Sequence, residues 1–218
     1  MLTTYRIRYE RGEGVKFISH LDLMQLFSRA ARRCSLPIAY SEGYNPRPQL
    51  IFGMPLPVGV TSEAEYVDIQ LTVDLIESEI IQMLNDSMPL GIRIHEVHKL
   101  VNKTSNIMAS VKASEYYVNV AMSKEGYAAI YEILESNKPL LAMKKSKSGI
   151  KETDIRQMVY EIEDKGEVTP GIRSIRIVTA AGNTMNLRPE LAIDTLIQQA
   201  GIEAKVVKIH RSSLVIED

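Results

Sequence analysis

Two neighbouring stretches, TYRIRYER at residues 4–11 and SHLDLMQLFSRAARRC at residues 19–34, decide the fold class. In the first, Tyr5, Ile7 and Tyr9 alternate with Arg6, Arg8 and Glu10, the period-2 pattern of a half-buried strand. In the second, Ser19 stands three positions before Asp22, a capping-box start with Asp in place of the usual Glu. Met24, Phe27, Ala31 and Cys34 then share one helical stripe, widened by Leu23, Leu26 and Ala30. Asp22, Arg29 and Arg33 fall on the other side. Pro37 stops the helix.

Outward from this unit, QLIFG (49–53) reads as a short strand and EYVDIQLTV (65–73) as another alternating one. DLIESEIIQMLNDSM (74–88) reads as a helix, with Asp74 as N-cap and Ile76, Ile80, Met83 and Leu84 inward. GIRIHEVHKL (91–100) is a further strand. The order is βαββαβ, the ferredoxin-like arrangement. The second half repeats it, with strands at SEYYVNVAM (114–122), LLAMKKS (140–146), GIRSIRIVTA (171–180) and AKVVKIHRSSL (204–214). Its helices are SKEGYAAIYEILESN (123–137) and RPELAIDTLIQQAG (188–201), the latter opened by Pro189 and closed by Gly201. KETDIRQMVYEIED (151–164) is left over as an added strand or an irregular crossing. The expected architecture is α+β, two tandem ferredoxin-like halves with mainly antiparallel sheets. A first domain covers 1–100 with a proline-rich crossover, 101–112 is a polar linker, and 113–218 is the second domain.

The 218 residues are 45% hydrophobic and 24% charged, an ordinary globular mixture. There is no apolar run of membrane-spanning length and no signal-peptide pattern at the start, so a cytoplasmic location with no membrane partner is the expectation. The net charge of −1 argues against a generic nucleic-acid coat. Its distribution is uneven. Residues 1–60 hold eight Lys/Arg against four Asp/Glu, and residues 61–100 hold two against eight, which implies a basic and an acidic face. Cys34 is the single cysteine, so neither an internal disulfide nor a multi-cysteine metal site can form. It reads as core packing at the end of a helix.

No nucleotide-binding glycine loop, nucleophile elbow, HExxH or EF-hand pattern occurs. His95 and His98 are three apart in a strand pattern and point to opposite faces, so they would not share a metal. No metal site and no cofactor are expected. His20 is placed in the first turn of the first helix, with Ser19 beside it and Lys16 before it, where an anion would be favoured. The alternative is that His20 completes the cap and packs on the sheet.

Residues 40–60, YSEGYNPRPQLIFGMPLPVGV, contain four prolines and three glycines. Pro46, Pro48, Pro55 and Pro57 fix φ and hold their preceding residues extended. Tyr44, Asn45 and Arg47 would then project from a stiff support, offering a stacking plane, an amide and a planar cationic fork. The alternative is a crossover that shields a sheet edge. In the second half Asp154 and Arg156 would share a strand face and pair with each other. Lys144, Lys145, Lys147 and Lys151 form a basic run that can touch phosphates.

The pieces FISHLD, RAARR, SEGYNPRP, PLPVGV and EYVD, with a looser TDIRQMV, resemble the radical-SAM-associated domain family of unknown function. Its members occur fused to, or encoded beside, cobalamin-type radical SAM proteins. A radical SAM cluster needs three cysteines, so the resemblance implies that this chain is the stand-alone accessory form and that a separately encoded radical SAM protein is its partner. The leading expectation is a non-catalytic accessory or substrate-presenting protein, with RNA as a substrate. One alternative is a metal-independent RNA-processing or RNA-modifying enzyme of tandem ferredoxin-like architecture. There His20 would serve as general acid or base, and Arg47 or Lys16 would stabilise charge. A plain protein-interaction module is the third. The candidate site residues are Lys16, Ser19, His20, Arg29, Arg33, Tyr44, Asn45, Arg47, Asp154 and Arg156.

Overall fold

The alternation of the first strand is a burial pattern in space. In the computed structural model, which describes residues 2–101, 105–136, 138–146, 149–182 and 184–217, Tyr5, Ile7 and Tyr9 are buried. They lie on β1 (Thr3–Arg11), which pairs antiparallel with β3 (Thr61–Leu71), Ile7 opposite Val67. On its other side β1 pairs antiparallel with β4 (Ile92–Lys99), and the short β2 (Leu50–Phe52) pairs with β3. The order β4-β1-β3-β2 is that of a ferredoxin-like sheet.

Helices α1 (His20–Arg33) and α2 (Glu77–Asn85) cover one face of these strands. The capping box forms as expected: Ser19 Oγ accepts from the Asp22 N–H, and Asp22 accepts from the Ser19 N–H. The buried stripe of α1 is Leu23, Phe27, Ala30 and Ala31. Met24, expected inward, remains 36% exposed because the stripe is centred one residue earlier. Cys34 caps the end of α1 and packs half-buried against the core. Asp74 does not cap α2. It is drawn away by Thr3 and by Lys99, whose Nζ donates to it at 2.6 Å, and Ile76 is the N-cap instead, two-thirds exposed.

The chain divides into two compact units, Met1–Lys112 with Ser213–Asp218, and Ala113–Ser212. The stretch 101–112, expected as linker, contains the short helix α3 (Ile107–Ser110), capped by Asn106, and its residues 102–104 lie outside the described residues. In the first unit a buried pair sits beneath α3. Arg6 Nε donates to Asp68 at 2.9 Å, and the Ile107 N–H donates to the same carboxylate at 2.8 Å.

The second unit has the ferredoxin-like order again, in different strands from those expected. β5 (Val111–Ala121) pairs antiparallel with β9 (Ile172–Ala180), and β9 with β8 (Val159–Thr169). With β10 (Lys205–Ile216) the order is β10-β5-β9-β8. The place expected for LLAMKKS is therefore taken by β8, part of the stretch left over in the sequence. β6 (Leu141–Ser146) and β7 (Gly149–Asp154) form their own two-stranded hairpin, inserted after α4 (Lys124–Glu135). α5 (Pro189–Ala200) begins with proline and ends at Gly201 with φ 64°, the left-handed cap that favours glycine. Ile130, Val118, Val120, Ile175, Ile177, Ile193 and Leu196 are fully buried.

Among the described residues, no helix is long and apolar enough to cross a membrane.

Candidate functional site

The proline-rich stretch folds back on itself as a closed finger. Tyr40 and Pro48 form an antiparallel bridge. Inside it the Ser41 N–H donates to the Arg47 carbonyl at 2.8 Å, and the Arg47 N–H donates to Ser41 Oγ at 3.0 Å. Below it the Gln49 N–H donates to the Ala39 carbonyl at 2.8 Å. The turn needs Gly43, whose φ of 116° is closed to most side chains. With the base tied and two prolines at 46 and 48, the tip from Glu42 to Arg47 is exposed throughout, and Tyr44 is wholly exposed. The side chains of Tyr44, Asn45 and Arg47 make no hydrogen bond or ion pair among the described residues.

The finger leads straight into β2, and β2 meets His20. The His20 ring stands edge-on to Phe52, 5.5 Å between centroids at 88°. Phe52 stacks edge-on to Phe27, and Phe27 to Tyr9, so an aromatic row runs from His20 into the core. Burial pushes the His20 imidazole below its ordinary value and the Arg11 charge pushes it further, against an opposing pull from Glu65. A histidine held neutral at pH 7 can accept a proton.

Arg11 and Glu65 did not stand out as candidates in the sequence, although both are buried. The signal for Arg11 is its parity: it continues the inward series Tyr5, Ile7, Tyr9 with a charge where an apolar residue is due. Its guanidinium donates to the carbonyls of Val15, Lys16 and Ile18, and so fastens the loop that enters α1.

At the start of α1, where an anion was expected, the capping box and an ion pair take up part of the donor set. Ser19 Oγ and the Asp22 carboxylate take up the N–H groups of Asp22 and Ser19, and Lys16 Nζ donates to Glu13 at 2.8 Å while lying over the Phe17 ring. Arg29 reaches Gln25 at 3.4 Å, and Arg33 donates to the Ser87 carbonyl, tying α1 to the segment after α2. Lys16, Ser19, His20, Arg29, Arg33, Tyr44, Asn45 and Arg47 thus belong to the first unit, with β2 linking the finger to His20.

Asp154 and Arg156 belong to the second unit and do not pair as side chains. Asp154 accepts from the backbone N–H groups of Arg156 and Leu140, at 3.0 and 2.9 Å, which hold its carboxyl below the ordinary value. Arg156 donates to the carbonyls of Ile133 and Leu134 in the last turn of α4 and of Lys138 just beyond it. The strand expected through both residues breaks at Ile155 into a 3-10 turn, which takes them off a common face. Of the basic run, Lys144 and Lys151 face each other across the β6–β7 hairpin, and Lys147 lies outside the described residues.

His95 and His98 go to different carboxylates, Glu10 at 2.9 Å and Glu96 at 3.4 Å. Among the described residues, no group of three or more His, Cys, Asp or Glu is placed to hold a metal ion.

Comparison with known families places the chain. The family described as "uncharacterized protein conserved in bacteria (DUF2344)" matches residues 4–189. The chain belongs to this family. No curated protein matches it. Among solved structures, a chain of a Cbf5-Nop10-Gar1 complex is similar with a TM-score of 0.51 at 12% identity, covering 99% of this chain and 50% of that one. The present chain therefore spans about half the length of that relative, and the likeness is one of fold. A protein of unknown function from Galdieria sulphuraria aligns over 94% of this chain and 98% of its own, at 12% identity and a TM-score of 0.28.

Proposed function

We propose that this chain is a cytoplasmic accessory protein that presents an RNA to a separately encoded radical SAM enzyme. The observation that carries the RNA contact is the closed finger. Tyr44, Asn45 and Arg47 stand exposed on a support tied at Tyr40–Pro48 and Ser41–Arg47, with their polar groups uncommitted. Groups held ready in this way bind without the cost of ordering a loop. An exposed tyrosine ring can stack on an unpaired base, and an arginine fork matches a phosphate. The radical SAM partner is carried by the motif resemblance alone.

The test is RNA binding by the purified chain at several salt concentrations, wild type against Arg47→Ala. Binding that weakens with salt and falls in the variant supports the finger as a phosphate contact. Absence of binding at low salt overturns the RNA part and leaves a protein partner in front.

One observation favours a second reading, an RNA-processing enzyme. His20 is kept neutral beside two buried charges and adjoins the strand that leaves the finger. His20→Ala separates the readings. Loss of RNA cleavage with binding retained makes it an enzyme; a wild type that binds without cleaving makes it a presenter.

A further inference from the structure

The outward side of α1 and the turn that precedes it expose large apolar side chains. Phe17 is 73% exposed, Leu21 70% and Met24 36%. Leu21 and Met24, three positions apart, share a face of α1, away from the buried Leu23, Phe27 and Ala30. Phe17 stands in the turn just before the helix, its ring edge against Gly59, and the three make up an apolar ridge at this end of α1. The ridge is extended by the loop that carries Val58, itself 59% exposed. That loop is held in place by the Gly59 N–H, which donates to the Lys16 carbonyl at 2.8 Å.

Towards its C-terminal end the same side of α1 becomes cationic, with Arg29 and Arg32 exposed. Arg32 has no hydrogen-bonding or ionic partner among the described residues, and the one acid on the helix, Asp22, is committed to the capping box. A contiguous apolar patch marks an interaction site. An RNA would satisfy the arginines and leave Phe17, Leu21 and Val58 in water, so the combination favours protein.

We propose that this ridge docks a protein partner through one amphipathic helix. The partner helix lays apolar side chains over Phe17, Leu21 and Met24 and places carboxylates over Arg29 and Arg32, with its register set by charge. The proposal rests on the accessory-protein reading only in taking the partner to be a protein.

The experiment replaces Phe17 by a photo-crosslinking phenylalanine analogue in the full chain, expressed in its own cells, and sequences the adduct peptide. The expected adduct is one protein segment with apolar residues at three- and four-residue spacing and Asp or Glu one to two turns along. Adding Leu21→Asp lowers its yield by about tenfold or more, as for a central contact, and Arg32→Glu lowers it severalfold. Both positions are exposed, and an unchanged melting temperature checks that the variants fold. An adduct to RNA, to a second copy of this chain, or to a segment without that pattern overturns the proposal, as does no adduct. A patterned adduct from a protein lacking a three-cysteine cluster motif keeps the docking ridge and removes the radical SAM partner. Co-purification of a radical SAM protein that Leu21→Asp leaves unchanged removes the ridge and keeps the accessory reading.

Discussion

Arg156 caps α4: its guanidinium donates to the Leu134 carbonyl at 2.5 Å and, together with Ser136, to the Ile133 carbonyl at 2.7 Å. A cation at a helix C-terminus meets the negative end of the helix dipole and donates to the carbonyls of the last turn. Arg156→Ala should lower stability by about 2 kcal/mol, the range of charge-assisted bonds, and Arg156→Lys should recover part of it because one ammonium cannot span three carbonyls. Urea unfolding of the three proteins checks this. Equal midpoints would mean that solvent serves those carbonyls equally well.

Asp68 supports two donors, Arg6 and the Ile107 N–H, with both side chains buried. Removing one member of such a pair strands the other charge away from water. Asp68→Ala should cost about 3–5 kcal/mol, whereas a change at an exposed residue such as Glu203→Ala should stay within about 0.5 kcal/mol. Chemical denaturation with one shared slope tests the contrast.

His20 makes stability depend on pH in a fixed direction. Its pKa in the folded chain lies below the ordinary 6.5. Between the two values the unfolded chain binds more protons than the folded one, so the contribution is present above about pH 6.5 and is lost as pH falls towards the folded value. An NMR titration of the ring should give a midpoint below 6.5, and His20→Gln should flatten the slope of melting temperature in that window. A midpoint above 6.5 would show that Glu65 outweighs burial and Arg11.

Arg47 should behave oppositely to Asp68, silent in stability and audible in binding. Because its guanidinium bonds nothing among the described residues, Arg47→Ala should leave the unfolding free energy within about 0.5 kcal/mol. The slope of log affinity against log salt for single-stranded RNA should drop by about 0.7, the value of one lost phosphate contact. Calorimetry and a filter-binding series read the two effects separately. A destabilised variant with an unchanged slope would make the finger structural.

What was legible locally is what forms locally. Ser19 with Asp22, Pro189 with Gly201, and the inward tyrosines of β1 all read correctly, because caps and alternation depend on residues a few positions apart. Asp74 misled because Thr3 and Lys99, distant in sequence, compete for its carboxylate. Arg156 misled because the chain turns at Ile155 and delivers it to a helix end formed twenty residues earlier.

The finger could be foreseen as stiff from its prolines, but its closure by Ser41 and Arg47 could not, since both bonds need the turn at Gly43 to be made first. His20 was visible as a helix-start histidine. Its setting among Phe52, Arg11 and Glu65 was not, since these come from three separate strands.

The sequence by itself determined the α+β class and the twofold ferredoxin-like order, because period and punctuation are short-range properties of the chain. Which strands pair was decided only in three dimensions. LLAMKKS and VYEIEDKGEVT are both competent strands, and nothing in either states its neighbour. Ladder hydrogen bonds and the burial of Ile175 and Ile177 select β8 beside β9 and leave β6 to pair with β7. A strand's partner is chosen by the surface the pair buries together, and that surface does not exist until the chain has folded.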